Sequence, residues 1–442
     1  MRSTGGKSIK KENLTKMKSI FDKQVSNINS EVCEYYAFTE SYDIINDNSV
    51  SIRLDCIKKG LTERLDSKQK IDRQIDEVPS VVFEIINCSP NELRKITSID
   101  FEEDTWCLIK VDFANDGLIA VQTINGEVIE RIERPARISL IQEGDPIIIK
   151  NLQAIFNLGS LNNVTEWSEE TAQEWLNLQN GDLDSVAVYN VGQGNLNAII
   201  DSRNVPLLYF DLGGGFGSCK ETYPQIKSLK TCTTFCQTVI LSHWDLDHVE
   251  TAIRDDNNVK FNWIVPMQKI GNTHFQLALK ITQNGHLMIW PDSQKRLNCG
   301  NVQIYRGQGK TKNDTGLSLL IKNLKGPIKN VLLPADCDYT NIPINPKIVY
   351  NGIVVPHHGA KLSNKKLNVA PLNHCLIYSY GLKRSGMKTH FGHPTPESID
   401  FHSMMGWINR HDTINGHVAM KRSGMNNVPC NGRCTLAIQQ FV

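Results

Sequence analysis

The first 242 residues contain no histidine; all twelve stand at or after His243. Imidazole is a common metal ligand and the usual proton carrier near neutrality, so this lack assigns such chemistry to the second half of the chain. Nowhere does an apolar run approach the roughly 18 residues that would span a bilayer. The opening MRSTGGKSIKKENLTKMKS is basic and has no apolar stretch of secretory type. The expectation is therefore a cytoplasmic protein with no membrane partner. Cysteine is present but unpatterned: twelve residues are scattered from Cys33 to Cys434, which reads as reduced thiols and not as a disulfide framework. CTTFC (Cys232, Cys236) and CNGRC (Cys430, Cys434) are half zinc sites at most, because their spacing is unusual and no four-ligand set is apparent. Internal repeats and low-complexity tracts are also lacking. GGKS at 5–8 is no phosphate loop, since the chain begins too close to it to supply the upstream glycine and strand.

What is there is an ordinary globular composition, 40% apolar and 21% charged. At 442 residues the chain exceeds what one core usually organises, so two domains are expected. Residues 1–30 read as a basic N-terminal arm. Residues 31–180 read as a smaller, strand-rich α+β domain of unknown role, through which a protein partner could act. Its short β-branched or alternating runs are SVVFEIINC, WCLIKVDF, GLIAVQTING and ARISLI, and the Asn-Gly at 125–126 suits a hairpin turn. WSEETAQEWLNLQNG at 167–181 predicts a short helix with Ser168 as its cap and Gly181 beyond its end. From 181 to 442 the texture is α/β: apolar strands end in glycine-rich turns or in polar residues of ligand type, as in VAVYNVGQG, VPLLYFDLGGG, NVLLPADCD and IVVPHHGA. Strand ends are where α/β proteins build their sites.

The densest of these is VILSHWDLDHVE, where an apolar run ends in His243, Asp245, Asp247 and His248 within six positions. Asp247 and His248 are adjacent and point apart, so one turn can feed two neighbouring metals. Asp336 follows another strand and can bridge two ions through its two oxygens. His357 and His358 follow a third strand, and His393 precedes a proline that pins its loop. The expected grouping is His243, Asp245 and one of the paired histidines on one ion, with Asp247, His248 and His393 on the other and Asp336 shared. Three aspartates and one bridging hydroxide balance two divalent ions, the charge logic of a two-metal hydrolytic centre. The carboxylate share makes Mn²⁺ a competitor of Zn²⁺.

The ordered motifs VGQG, FDLGGG, SHWDLDH, NDTGLSLLI, LLPADCD, VPHHGAKLS and YGLKRSGMKTHFGHPTPE resemble the metallo-β-lactamase superfamily over roughly residues 184 to 442. Within it they look most like the hydrolase domain of the competence protein ComEC, which also carries Asp at the second ligand position. The resemblance implies an αββα sandwich with metals at one edge and a metal-dependent hydrolase. It places Asp211 and Gln193 of the VGQG turn beside the metals as support for the ligands. Three departures stand out: Glu250-Thr251 replaces paired glycines, Asn195 stands where an acid often follows VGQG, and Ala335 replaces a glycine before Asp336.

From His357 to Cys434 there are ten lysines or arginines against three acids, a net +7 that leaves −6 for the rest of a chain with net charge +1. Such a segment can guide an anionic substrate. The functional expectation is a phosphodiesterase or nuclease acting on DNA, RNA or a nucleotide. Asp247 and His358 would carry catalysis, with Lys383, Arg384 and Lys388 gripping flanking phosphates. The rivals are a hydrolase of another anionic ester or thioester, and the effector subunit of a multi-component, antiviral-type system activated through the N-terminal domain.

Overall fold

The computed structural model describes residues 32–420 apart from 47, 63–64, 66–77, 101, 114–116, 126, 130–134, 177–182, 203–204, 224–230, 233–237 and 364–366. The basic arm, the 5–8 stretch, Gly181, Cys236, Cys430 and Cys434 lie outside the described residues.

The first strands are β1 (Cys33–Asn46), β2 (Ser49–Lys58), β3 (Val81–Cys88), β4 (Trp106–Asp112), β5 (Leu118–Ile124), β6 (Glu127–Ile129) and β7 (Ala136–Gln142). Their order is β3-β2-β1-β4-β7-β5-β6, and β3 also pairs with β5, which closes six of them into an antiparallel barrel. Closure leaves those six strands no free edge. The two-residue turn at Asn125 forms the expected hairpin: Ile124 pairs with Glu127, and Asn125 adopts φ 49°, as the favoured turn demands.

Period-2 alternation sends Tyr35, Ala37, Ile52, Leu54, Phe83 and Ile109 into the barrel interior. The alternate residues Tyr36, Phe38, Ile57, Val82, Trp106 and Leu108 are buried as well, but in a different cluster that they share with the rest of the chain. The barrel's outer face is therefore a packed face and not a wet one.

Helices are α1 (Lys59–Thr62), α2 (Pro90–Ile96), α3 (Pro146–Ile155), α4 (Glu169–Leu176), α5 (Leu246–Arg254), α6 (Asn272–Asn284) and α7 (Pro396–Met404). Ser168 caps α4 as expected, its Oγ accepting from Thr171 N at 3.0 Å.

Two further seven-stranded sheets follow. The first runs β13 (His286–Trp290), β12 (Asn262–Pro266), β11 (Thr238–Ile240), β10 (Pro206–Leu212), β9 (Leu196–Asp201), β8 (Leu183–Val188) and β23 (Val418–Met420). The second runs β14 (Arg296–Cys299), β15 (Val302–Arg306), β16 (Leu317–Ile321), β17 (Val331–Leu333), β19 (Gly352–Val354), β21 (Cys375–Tyr378) and β22 (Arg410–Asp412). A two-stranded ribbon pairs β18 (Val349–Tyr350) with β20 (Asn368–Val369). Ile199, Phe210, Ile240 and Ile264 of the first sheet share one cluster with Ile304, Leu319, Leu333 and Ile377 of the second, so the sheets pack face to face. The outer face of the first sheet is covered by α5, α6, α3 and the barrel. The outer face of the second is covered by residues of α7, including Ile399 and Phe401. The layering is helix, sheet, sheet, helix. No helix among the described residues is long and apolar enough to cross a membrane, and the nine described cysteines are all buried.

Candidate metal centre

β10 and β11 pair in parallel, as do β17, β19 and β21, and the ligand-type residues collect just beyond the C-terminal ends of these strands. Asp211 closes β10, His243 follows β11, Asp336 follows β17, and His357 and His358 follow β19. Two sets of ligand atoms converge, each within 4.8 Å: His243, His248 and Asp336, and Asp247, His248 and His358.

The histidines are aimed by what lies behind them. Asp211 Oδ1 accepts from Ser242 N at 2.7 Å, and Oδ2 accepts from Ser242 Oγ and His248 Nδ1, each at 2.9 Å. His248 therefore donates through Nδ1 and presents Nε2 to the site, 3.1 Å from Asp336 Oδ1. Ser242 Oγ also lies 2.9 Å from His243 Nδ1. His358 Nδ1 faces Ser379 O at 2.8 Å, which turns its Nε2 to Asp247 Oδ2 at 3.1 Å. The Nε2 atoms of His243 and His248 are buried and make no hydrogen bond. Two such orphaned imidazole nitrogens beside a buried carboxylate are a donor set that fits a divalent Zn or Mn ion.

The grouping differs from the expected one. Asp247 and His248 open α5 and diverge around it as adjacent helical residues must. Asp247 meets His358, while His248 turns back under His243 and belongs to both sets. Asp245 lies in neither. Its Oδ2 is 3.3 Å from His243 Nε2, while its Oδ1 is 2.7 Å from Lys312 Nζ, a buried ammonium that also donates to Glu40 O at 2.6 Å. His357 and His393 are outside both sets but line the same cavity, with ring centroids 5.4 Å apart. Of the paired histidines, it is His358 that joins a ligand set.

Burial alone would push the carboxylates up, but their neighbours win. His248 and His358 hold Asp336 well below the usual range. His358 and His248 bring Asp247 down to about 2, and Lys312 and His243 hold Asp245 well below the usual range. Burial also opposes the charge of His248, yet Asp336 and Asp211 keep its pKa well above the ordinary value. Burial pushes His393 far down.

Contacts account for two of the three departures, and the alanine at 335 has no structural explanation. Thr251 Oγ1 donates to Gly213 O at 2.7 Å, and Glu250 holds Arg254, whose guanidinium reaches Gly215 O at 2.9 Å and lies over Tyr223. The pair thus fastens the glycine loop. That loop needs glycine: a Cβ on Gly213 would lie 1.8 Å from Asp247 O. Asn195 Nδ2 lies 3.4 Å from Asp336 Oδ1, so it leans on a ligand. Ala335 has φ 53° and the two following histidines 48° and 54°, left-handed conformations that cost non-glycine residues roughly 1 kcal/mol or more each and persist where surroundings enforce them. Gln193 is buried with its Oε1 unpartnered and lines the cavity.

None of Lys383, Arg384 and Lys388 lines the cavity. Lys388 is engaged locally, its ammonium donating to Gly392 O and Pro394 O and so tying down the His393 loop. Reasoning from sequence missed what the barrel supplies: Ser41, Asp43 and Arg53 of β1 and β2 form one wall of the cavity. Glu40 Oε1 accepts from Leu246 N at 3.0 Å, capping the helix that carries Asp247 and His248. Asp245 occupies that N-cap position but makes no capping bond, its side chain facing His243 and Lys312 instead. Asp55 Oδ2 likewise accepts from Thr273 N at 2.7 Å at the start of α6. A Cβ on Gly271 would strike Asp55, so the glycine makes room for this borrowed cap.

The sequence matches no family model and no curated protein. The solved structures it resembles are metallo-β-lactamase-fold proteins. YhfI from Bacillus subtilis matches at TM-score 0.33 and 12% identity, over 53% of this chain and 99% of that one. Zn²⁺-bound PqqB from Methylobacterium extorquens matches at TM-score 0.25 and 8% identity, over 38% and 71%. FEZ-1 metallo-β-lactamase from Legionella gormanii matches at TM-score 0.23 and 12% identity, over 38% and 65%. Likeness at this level carries no argument about activity or substrate.

Proposed function

We propose that the chain is a metal-dependent hydrolase of phosphodiesters, acting on DNA, RNA or a nucleotide through a two-metal centre. The observation that supports the reading is the convergence of His243, His248 and Asp336 with Asp247, His248 and His358 around the buried Nε2 atoms of His243 and His248, which face carboxylates without a well-formed hydrogen bond. His243, His248 and Asp336 would hold one ion, and Asp247, His248 and His358 would adjoin the other, with Asp336 between them. Bound there, Zn or Mn would polarise the phosphoryl oxygen and bring the pKa of water towards neutrality.

The chain's own part is orientation. Asp211, Ser242 and Ser379 O fix the imidazole rings, so the ligand atoms need little rearrangement. His357, half-exposed and 3.8 Å from Asp336 Oδ2 through Nε2, is placed to hold a proton for the leaving oxygen. Phe391 and His393 stack at 5.7 Å on the cavity wall. An effector whose hydrolase answers to its N-terminal region is a second reading, favoured by one observation: Glu40 of the barrel caps the ligand-bearing helix.

The test is metal content and activity of the wild type and Asp247→Ala on single-stranded DNA, double-stranded DNA, RNA and bis(p-nitrophenyl) phosphate. About two metals per chain, with cleavage that disappears in the variant, supports the reading; no bound metal ends it. Lys383→Glu with Arg384→Glu then asks whether the basic turn grips a polymer: a nuclease should lose affinity in a salt-dependent way. Lys388 is left out because it holds the His393 loop.

A further inference from the structure

We infer that Arg53, from the barrel, is the residue that grips the substrate's anionic group beside the metals, so that the barrel supplies recognition and the sandwich supplies the metal ligands. The inference rests on the phosphodiesterase reading for the identity of the anion, though not for the existence of the anion site.

Arg53 is 6% exposed. Its Nε donates to Glu84 Oε1 at 3.0 Å, and Nη1 stands 3.7 Å from Glu40 Oε1, too far for a hydrogen bond. Glu84 is itself anchored through Oε2, which accepts from Ser218 N at 2.7 Å. A guanidinium has five N–H donors in a fixed fork, and the four on its two Nη atoms make no hydrogen bond among the described residues. The described residues offer these donors no acceptor in hydrogen-bond range, so they are left for what enters the cavity, water or an anion. The fork borders the cavity that holds Asp247, Asp336 and His358.

Arg53 is also the only lysine or arginine among the described residues lining that cavity, which otherwise presents Asp43, Asp245, Asp247 and Asp336. Metal bound there would answer Asp247 and Asp336, and Lys312 already answers Asp245; an anion entering beside them still meets Asp43, and Arg53 is the permanently charged group that faces it. A planar, permanently charged fork suits two oxygens of one phosphate, which an ammonium cannot match in geometry. The alternative, a purely structural Arg53 held by Glu84 and by the longer Glu40 contact, accounts for Nε and for charge near Nη1 but gives the Nη donors no hydrogen-bond acceptor.

The probe is inorganic phosphate, titrated by calorimetry into metal-loaded full-length chain, with metal content and thermal unfolding measured on each variant. Arg53→Gln should weaken phosphate binding about 10–100-fold at unchanged metal content, the scale of a lost charge-assisted pair of hydrogen bonds. If bis(p-nitrophenyl) phosphate is cleaved, its KM should rise more than its kcat falls. Unchanged phosphate affinity in a folded, metal-loaded Arg53→Gln overturns the inference. Should that variant lose its metal or its fold, Arg53→Lys decides, because it keeps the charge beside Glu84 without the fork: roughly tenfold weaker phosphate binding supports the inference, and wild-type binding overturns it. A wild type that binds phosphate through Arg53 but cleaves no phosphodiester would refute the reaction and leave the anion site standing.

Discussion

Replacing Glu40 tests how far the barrel reaches into the metal centre. Its carboxylate accepts the Leu246 N–H from 206 residues away, and among the described residues no other side chain is seen to cap α5, because Asp245 is turned elsewhere. Glu40→Ala removes that acceptor and leaves a buried N–H unpaired. Loss of an N-cap costs about 0.5–2 kcal/mol, and a buried orphan donor about 1–3 kcal/mol. These overlap, since they describe the same bond, so the local cost is about 1–2 kcal/mol. It falls on the first turn, which carries Asp247 and His248. If the turn must be re-formed when metal binds, affinity should drop about 5–30-fold, at about 1.4 kcal/mol per factor of ten. Burial raises the Glu40 pKa to about 8, so near neutrality the side chain is a neutral acceptor and Glu40→Gln should restore most of the affinity. The assay is competition with a chelating dye at pH 7, with hydrogen exchange at residues 246–248 as the structural readout. A folded Glu40→Ala that binds metal within about twofold of wild type would refute the reasoning.

Three other outcomes are expected. Chelation should lower the unfolding temperature and added Zn or Mn restore it, by about 2.7 kcal/mol at a hundredfold excess over Kd, read by calorimetry; a chelator-insensitive transition would count against a metal site. Burial raises Asp55 to about 7 and Glu40 to about 8. Such groups hold their proton more tightly when folded, so their stabilisation is complete below about pH 4 and is lost as pH rises through 7 and 8. Thermal unfolding of the chelated protein from pH 5 to 8 should therefore show declining stability, with a shallower slope in Asp55→Asn and Glu40→Gln; equal slopes would reject the assignment. Lys388→Met should impair turnover by unfastening the Gly392–Pro394 carbonyls while leaving the salt dependence of substrate binding as in wild type; a reduced salt slope would mean that Lys388 touches the substrate after all.

That the candidate ligand residues gather at strand ends was legible because the signal is local: strands that end in His, Asp and Gly announce a strand-end site whatever the tertiary detail. The strand runs, the hairpin at Asn125 and the cap at Ser168 were legible for the same reason. How the ligands group was not. Adjacent residues at a helix start diverge, and the place each reaches depends on the neighbouring strand ends. The barrel's share was hidden by the alternation rule itself. In SVSIRLDCIK the interior positions Val50, Ile52, Leu54 and Cys56 alternate with Ser51, Arg53 and Asp55, the pattern of a strand wet on one side. Both faces are in fact buried, and the polar one meets the half of the chain that carries the candidate ligands. The basic segment is a different case: charge count located an electropositive stretch, Lys388 spends its ammonium on its own loop, and none of the three candidate residues lines the cavity.

The two borrowed caps also bear on the order in which the molecule folds. Glu40 meets Leu246 across 206 positions and Asp55 meets Thr273 across 218. Contacts so distant in sequence form late, because a long loop must close before they return anything. The barrel strands emerge first during synthesis, and their outer carboxylates wait for helices made hundreds of residues later. The seating of α5 and α6 on β1 and β2 should then come late, and if the centre binds metal, its full affinity should be gained at that step. Metal added to refolding protein should accordingly be captured in the slowest phase.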